Sequence, residues 1–192
     1  MLTLLPLAEA ELCFDPAWLP AARAAQLFAA MRSEIIWETH HLRLFGREVA
    51  SPRLSCWIGD PGASYVYSNT RFEPRPWTPS LAALRDQISE LAGVRFNSVL
   101  ANLYRDGRDG MGWHSDDEAE LGPQPVIASL SLGALRRFVL KHRRVPEKKL
   151  ALDLPAGSLL VMRGDTQRNY RHALPKTARV VGERINLTFR RI

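Results

Sequence analysis

The stretch Trp113–Asp117 contains the residue types best suited to metal chemistry, because an imidazole and a carboxylate stand two positions apart in it. Side chains alternate faces along an extended segment, so His114 and Asp116 are expected to point the same way. A second imidazole, His172, lies in another strand-like segment of the C-terminal half. Two histidines and one carboxylate form the facial triad that binds non-haem ferrous iron and leaves coordination positions open. The pattern predicts metal ligands at His114, Asp116 and His172.

A surface turn is the alternative interpretation of the same stretch. The chain has 5 histidines and 20 acidic residues, so a His-x-Asp pattern followed later by a histidine also arises by chance. In that case the acidic side chains nearby form a solvated face, made of Asp116, Asp117, Glu118 and Glu120. The triplet alone leaves both interpretations open.

The end of the chain, Arg184–Arg190, alternates polar and apolar residues with a period of two. Arg184, Asn186, Thr188 and Arg190 are placed on one face, and Ile185, Leu187 and Phe189 on the other. A half-buried strand with this pattern carries two guanidinium groups inward, and buried guanidinium groups need anions. Because a guanidinium matches a carboxylate with two parallel hydrogen bonds, a small dicarboxylate would satisfy both arginines.

Four ordered segments, taken together, identify a family that this sequence resembles. They are Phe96–Tyr104, Trp113–Glu118, Ile127–Ala134 and Arg184–Arg190. The sequence resembles the AlkB family of iron- and 2-oxoglutarate-dependent nucleic-acid dealkylases, and within it the branch of the second and third animal homologues. The resemblance runs from about Phe45 to Ile192, and the first 40 residues carry little of it.

The resemblance implies a dioxygenase that repairs DNA by oxidative demethylation of bases such as 1-methyladenine and 3-methylcytosine. It implies Fe(II), 2-oxoglutarate and O2 as cofactor and co-substrates, with formaldehyde and succinate released. His114, Asp116 and His172 then become the catalytic metal ligands. The residues implied to hold 2-oxoglutarate are Asn102, Tyr104, Arg184, Asn186, Thr188 and Arg190, with Arg190 expected nearer the iron.

The resemblance also implies residues that contact the nucleic acid. Phe45, beside Gly46 at an expected hairpin tip, is a candidate wedge that enters the base stack, although it could simply pack beneath its own hairpin. Arg53 is expected to meet a phosphate. Tyr65 and Tyr67 share a face and are expected to line a pocket for an extruded base, with ordinary cross-strand packing as the alternative. Asp117 is implied to accept a hydrogen bond from the exocyclic amine of that base.

The elements that position these residues are predicted to be mainly β-strands with flanking helices. Proline punctuation and apolar periodicity predict one helix from Leu19-Pro20 to about Arg32 and another from Thr78-Pro79 to Gly93. Ile127–Leu132 and Arg137–Lys141 are expected to pair across a Gly133-Ala134 turn. Short strands broken by tight turns indicate a jelly roll, which agrees with the cupin-like double-stranded β-helix that the resemblance implies.

The length of 192 residues indicates a single dioxygenase domain over residues 1–192. Within it, residues 1–77 are expected to form an N-terminal extension that includes a nucleotide-recognition hairpin. Residues 96–192 are expected to form the core that binds metal and 2-oxoglutarate.

The net charge of +6 and a pI near 9.8 favour an anionic partner. Alkylated DNA, single- or double-stranded, is the expected partner, and the basic run Arg136–Arg144 is interpreted as a rim that contacts phosphates. No apolar run is long enough for a membrane span, and the N-terminus is unlike a signal peptide. Cys13 and Cys56 are expected to be reduced, as is usual for a cytoplasmic protein. We expect a monomer in the cytoplasm.

Two other functions fit parts of the same pattern. The oxidation could act on RNA or on a protein side chain instead of DNA. A cupin-like module could also bind nucleic acid without catalysis, with zinc or nothing between the histidines. The two arginines of the last strand argue against that module, because it has no evident use for them.

Overall fold

This computed structural model describes residues 1–44, 47–67 and 70–192, with the backbone alone for residues 42–44, 47–48, 65–67 and 70–72. Within them the helices are α1 (Ala21–Glu34), α2 (Pro79–Ala92) and α3 (Thr166–Asn169). The strands are β1 (Thr3–Leu4), β2 (Glu11–Asp15), β3 (Glu38–Leu44), β4 (Arg47–Gly59), β5 (Tyr65–Tyr67), β6 (Thr70–Phe72), β7 (Ser98–Tyr104), β8 (Met111–His114), β9 (Ile127–Gly133), β10 (Arg136–His142), β11 (Lys149–Leu154), β12 (Leu159–Arg163), β13 (Tyr170–Leu174) and β14 (Arg184–Arg190).

The strands form two main sheets. The larger has the order β1-β2-β12-β9-β14-β7-β4-β3, and the smaller has the order β11-β10-β13-β8. Within the described residues the pairings between these strands are antiparallel, and β5 and β6 pair separately as a two-stranded sheet. This mainly β architecture with flanking helices confirms the predicted fold class.

Two glycines lie where the chain crosses from one sheet to the other. Gly133 (φ +82°) ends β9 in the larger sheet before β10 in the smaller, and Gly157 (φ +82°) separates β11 from β12 in the same way. The expected pairing of β9 with β10 was therefore wrong: β9 pairs with β12 and β14, whereas β10 pairs with β11 and β13. The left-handed backbone at Gly133 makes a corner between sheets rather than a hairpin.

The two long helices cover the outer face of the larger sheet, close to their predicted bounds. Pro20 precedes α1, the Thr78 hydroxyl accepts a hydrogen bond from Leu81 N at the start of α2, and Gly93 (φ +64°) ends α2. Buried helix side chains such as Met31 and Ile88 share one apolar cluster with residues of the sheet. The helices therefore support the sheet from behind and leave its inner face to the site.

Strand β14 is buried on both faces, which corrects the expectation of a half-buried strand. All seven of its residues are buried, because it lies between β9 and β7 in the middle of the larger sheet. Ile185, Leu187 and Phe189 enter the apolar cluster behind the sheet. Its polar residues therefore face the space between the two sheets.

The fold predicts unequal effects for the same substitution at two glycines. A Cβ at Gly133 would lie 2.5 Å from Glu183 O and 2.7 Å from the Phe28 ring, whereas at Gly93 (φ +64°) nothing lies within 4 Å. Gly133→Ala and Gly93→Ala should both lower the free energy of unfolding by about 1–2 kcal/mol through left-handed strain. Overpacking should add about 1–3 kcal/mol at Gly133 alone. Urea unfolding of both variants tests this, and equal losses would contradict the close approach at Gly133.

Among the helices of the described residues, none combines the length and apolar character needed to span a membrane.

Candidate active site

Three side chains that could bind a metal meet at the inner face of the smaller sheet. His114 Nε2 lies 3.1 Å from His172 Nε2, and both lie close to Asp116, at 4.0 and 3.9 Å from its carboxylate oxygens. The three ligand atoms fall within 4.8 Å of one another. Asp116 and His172 are buried, and His114 is partly exposed. The fold therefore brings together the three residues that the sequence placed in one site.

Strand pairing explains how residues 58 positions apart become neighbours. In the antiparallel pair β8–β13, His114 and His172 are direct partners, and their ring centroids lie 4.2 Å apart. Asp116 lies two residues after β8, and its backbone N–H donates to Gln167 Oε1 over 3.0 Å. The register of the β8–β13 pair therefore fixes the positions of the two imidazoles. The hydrogen bond to Gln167 holds the loop that carries the Asp116 carboxylate.

The donor atoms of this cluster suit a divalent cation. The imidazole Nδ1 of His114 lies 2.9 Å from Gly112 O, so Nδ1 carries the hydrogen and Nε2 keeps its lone pair. Two ligand atoms bound at right angles about 2.1 Å from one ion lie roughly 3 Å apart, close to the separation of the imidazole nitrogens. The carboxylate of Asp116 lies somewhat farther away. Two histidines and one carboxylate are also the ligand set of non-haem iron sites.

The charge states of the cluster also fit metal binding. Burial lowers the pKa of His172 to about 3, so its imidazole is neutral at pH 7. Burial raises the pKa of Asp116, but attraction from the adjacent Arg190 guanidinium outweighs it and lowers that pKa to about 2. A neutral imidazole and an ionised carboxylate are the forms that bind cations.

The polar face of β14 lines the same pocket as the metal-site residues. The lining includes Asn102, Tyr104, Arg184, Asn186, Thr188 and Arg190. Register places Arg184 opposite Tyr104, and Asn186 opposite Asn102. All six residues that the family resemblance implied for 2-oxoglutarate therefore converge in one pocket with His114, Asp116 and His172.

The two arginines occupy different ends of this pocket. Arg190 Nη2 donates to Asp116 Oδ1 over 2.7 Å, which places Arg190 beside the metal site as expected. Arg184 Nη2 donates to Ser131 Oγ over 2.8 Å, and its guanidinium lies 5.3 Å from the centre of the Tyr104 ring. The buried Arg184 Nε has no hydrogen-bond partner among the described residues. Burial lowers the pKa of Arg184 to about 10, so this group remains a cation at pH 7.

The remaining polar groups on this wall hydrogen-bond within the sheet. Asn186 Nδ2 donates to Ser129 Oγ over 2.8 Å, and Thr188 Oγ1 donates to Asn186 Oδ1 over 3.0 Å. Asn102 Oδ1 accepts a hydrogen bond from Arg53 Nε over 2.8 Å. These bonds fix the wall in a single arrangement, with Arg184 as the cation at its distal end.

Arg53 does not occupy the surface position expected of a phosphate contact. It is 7% exposed, and its guanidinium lies beside the Asn102 side chain because β4 pairs with β7. The structure thus makes Arg53 a support for Asn102. Phe45 lies outside the described residues, as do the side chains of Tyr65 and Tyr67.

Asp117 is not part of the metal cluster, as expected for the residue next to Asp116. Its Oδ2 accepts a hydrogen bond from Arg143 Nη2, and its side chain is 51% exposed. Its carboxylate therefore lies at the surface, held by a cation on β10's C-terminal side.

The basic run Arg136–Arg144 does not form one continuous rim. Arg136 is buried and donates to the backbone carbonyls of Asp106, Asp109 and Pro175, and Arg137 forms an ion pair with Asp153. Consecutive side chains of a strand point to opposite faces of the sheet, so basic residues that are neighbours in sequence do not share one surface.

A different set of cations gathers on the outer face of the smaller sheet. Lys141 pairs in register with Lys149 on one side and Arg171 on the other, which places three cations in one cross-strand row. Lys141 Nζ also lies 4.1 Å from the centre of the ring of Trp113, which is 45% exposed. Like charges in register repel one another, so this row favours an anionic partner. We call these four residues the cationic face.

Sequence reasoning did not identify Ser131 or Gln167 as parts of the site, and it assigned Arg143 only to the rim expected to contact phosphates. Ser129 and Ser131 alternate within β9, so the period-two pattern used for β14 could have placed them on the inner face. Gln167 and Arg143 act on the loop after β8 through tertiary contacts. Nothing in their local sequence marks these contacts.

Comparison with known proteins agrees with this geometry. The model of the family described as "2OG-Fe(II) oxygenase superfamily" matches residues 11–190. The human DNA oxidative demethylase ALKBH2 is 40% identical over 181 residues, which cover 89% of this chain and 69% of that protein. The human alpha-ketoglutarate-dependent dioxygenase alkB homolog 3 is 35% identical over 200 residues, which cover 100% of this chain and 69% of that protein.

Two solved structures share the fold. The structure reported as OsALKBH1 superposes with a TM-score of 0.70 and 16% identity, and the comparison covers 100% of both chains. A Pseudomonas putida prolyl-4-hydroxylase superposes with a TM-score of 0.60 and 20% identity, over 94% of this chain and 92% of the other. The family match and the similar relatives confirm the resemblance drawn from the four motifs, and this chain belongs to the 2OG-Fe(II) oxygenase superfamily.

Proposed function

We propose that this protein repairs DNA by oxidative demethylation of N-alkylated bases, with Fe(II), 2-oxoglutarate and O2. The observation that carries the proposal is one pocket in which His114, Asp116 and His172 adjoin a buried pair of arginines. Relatives with 35–40% identity are named as DNA oxidative demethylases or 2-oxoglutarate-dependent dioxygenases, which supports this substrate class.

The metal site and the dicarboxylate site have separate residues. His114, Asp116 and His172 would hold Fe(II), which when bound supplies the oxidation of an N-methyl group, coupled to conversion of 2-oxoglutarate and O2 into succinate and carbon dioxide. Arg190 keeps Asp116 ionised and lies beside the metal site. Arg184, at the far end, offers its unpartnered Nε–H to the distal carboxylate of 2-oxoglutarate.

The distal end of the pocket is built to select an anion. Arg184 is fully buried, and no carboxylate of the described residues lies within salt-bridge distance of it. A buried cation without a counter-ion is unfavourable, and a bound carboxylate compensates it. Asn102, Tyr104, Asn186 and Thr188 provide polar groups along the wall between the two arginines.

The cationic face supports a nucleic-acid partner. Lys141, Lys149 and Arg171 can contact phosphates on the outer side of the sheet whose inner side carries the two histidines.

The protein is further proposed to act as a monomer in the cytoplasm. Its two cysteines, Cys13 and Cys56, are free thiols, as expected in a reducing compartment.

One incubation tests the function directly. The anaerobically iron-loaded protein is mixed with an oligonucleotide that contains 1-methyladenine, with 2-oxoglutarate, and then with air. Formaldehyde that depends on all three additions is the expected result, and the unmethylated oligonucleotide is the control. Succinate without formaldehyde would show 2-oxoglutarate turnover uncoupled from demethylation, and would contradict this DNA substrate while leaving the oxidation chemistry in place. Absence of both products would overturn the enzyme assignment.

The proposed role of Phe45 predicts a difference between strand forms. A wedge that enters the base stack assists extrusion of a base from a duplex, but a single strand needs little such help. Phe45→Ala should therefore reduce formaldehyde release from a methylated duplex by a larger factor than from the same strand alone. Initial rates on the two substrates measure this, and equal factors would remove Phe45 from base extrusion.

A further inference from the structure

Arg143 joins three segments around the candidate active site. Its Nη2 donates to Ser115 Oγ over 2.8 Å, to Asp117 Oδ2, and to Gln167 O over 3.4 Å. Ser115 and Asp117 flank the metal-site residue Asp116, and Gln167 belongs to α3. One guanidinium therefore links the end of β10, the loop after β8, and the helix before β13.

The partners of Arg143 are themselves fixed. Ser115 Oγ donates to Tyr170 O over 2.8 Å, and Gln167 Oε1 accepts the backbone N–H of Asp116 over 3.0 Å. An isolated surface ion pair contributes little, largely because two flexible side chains must be ordered. Here Ser115 Oγ and Gln167 O already orient the guanidinium of Arg143. Its contact with Asp117 therefore costs less side-chain conformational entropy than an isolated ion pair does.

The contact leaves Asp117 able to bind a second donor. A carboxylate has two oxygens with about four lone-pair sites, and Arg143 contacts Oδ2. Without Arg143, a side chain that is 51% exposed would sample several rotamers. With Arg143, the carboxylate is held next to the loop that carries Asp116.

We propose that Arg143 is a positioning residue that sets base specificity through Asp117. The inference rests on the proposed function and extends it from the chemical class of the reaction to the choice of lesion. A fixed carboxylate accepts a hydrogen bond from the exocyclic amine of 3-methylcytosine. In 3-methylthymine the corresponding group is a carbonyl oxygen, which has no hydrogen to donate and is repelled by a carboxylate. Arg143 thereby favours lesions that carry an amine.

A general phosphate contact is the alternative role for Arg143, because other cations lie near it. Loss of a phosphate contact weakens binding of every sequence alike and reduces its salt dependence. Loss of the positioning role instead changes the ratio between two lesions in the same oligonucleotide. The neighbouring Arg144 provides a matched control, because it is also exposed and no contact of its guanidinium with a carboxylate is observed among the described residues.

The test compares kcat/KM for formaldehyde release from 3-methylcytosine and from 3-methylthymine in one oligonucleotide sequence. Arg143→Met should lower the ratio about 10-fold, the equivalent of one charge-assisted hydrogen bond, whereas Arg144→Met should leave the ratio unchanged. Arg143→Lys should restore part of the ratio by keeping a cation near Asp117. In an Asp117→Asn background, Arg143→Met should produce no further change in the ratio.

Binding gives a second readout that does not require turnover. Fluorescence anisotropy of the metal-free protein with each oligonucleotide should show the same loss of discrimination in Arg143→Met. Thermal unfolding identifies a variant that fails to fold, in which case Arg143→Lys and Asp117→Asn supply the comparison. Equal losses on both lesions, with an unchanged ratio, would overturn the role of Arg143 alone. Wild-type protein that releases no formaldehyde from either lesion would overturn the proposed function itself.

Discussion

Replacing His172 with alanine is expected to abolish 2-oxoglutarate turnover and to remove stable binding of ferrous iron. His172 Nε2 lies 3.1 Å from His114 Nε2 and 3.9 Å from Asp116 Oδ2, so its loss leaves two of three ligands. Loss of an outer-sphere partner of a metal ligand typically costs roughly 10–100-fold in affinity or activity, and loss of the ligand itself should exceed that range.

Iron content measures the effect independently of catalysis. Protein loaded with Fe(II) under anaerobic conditions is desalted, and the bound iron is then determined. His41→Ala is a suitable control, because His41 is an exposed histidine on β3 outside the cluster. Circular dichroism checks that the fold is retained. Iron bound in equal amounts by His172→Ala and by wild-type protein would refute the assignment of His172 as a ligand.

The local part of the site was predictable because strand geometry is regular. His114 and Asp116 stand two residues apart, and the alternation that places both on one side in an extended chain holds in the loop after β8. The same alternation separated the polar and apolar faces of β14. In both places the information needed lies within a few consecutive residues.

The part of the site that depends on strand register could not be predicted in the same way. His172 faces His114 because β13 pairs with β8, and nothing in either strand alone specifies that pairing. The resemblance likewise implied a phosphate contact for Arg53, but the pairing of β4 with β7 buries it beside Asn102. The choice of His172 came from its strand-like segment in the C-terminal half and was supported by the resemblance to a known family, and the structure supplies the contacts that explain it.

Corners between sheets limited the prediction of topology. Gly133 was correctly recognised as a turn, but a turn signal does not say whether the following strand returns to the same sheet. The distinction depends on the left-handed backbone at Gly133 and on its close approach to Glu183 O. These are properties of the folded chain, since Glu183 lies 50 residues away in sequence.

Arg190→Met is expected to destabilise the metal-free protein, whereas Arg184→Met is not. Arg184 is a buried cation without a carboxylate partner among the described residues, so its removal relieves an uncompensated charge, which offsets the loss of its hydrogen bond to Ser131. Arg190 donates to the buried Asp116, so its removal leaves a buried carboxylate without that cation. We expect Arg190→Met to lower the free energy of unfolding by about 3 kcal/mol, and Arg184→Met to leave it unchanged or to raise it.

The two variants should also respond differently to ligands. Arg184→Met loses a charge-assisted contact with the distal carboxylate, so the concentration of 2-oxoglutarate required for half-maximal turnover should rise roughly 10- to 100-fold. Arg190→Met should recover part of its lost stability when a divalent cation is added, because the metal replaces the guanidinium as the counter-charge of Asp116. Urea unfolding with and without Mn(II), together with 2-oxoglutarate titrations, separates these effects. If Arg184→Met destabilises the metal-free protein as much as Arg190→Met does, the cation at the distal end is a structural group, and its use in binding a dicarboxylate would need another explanation.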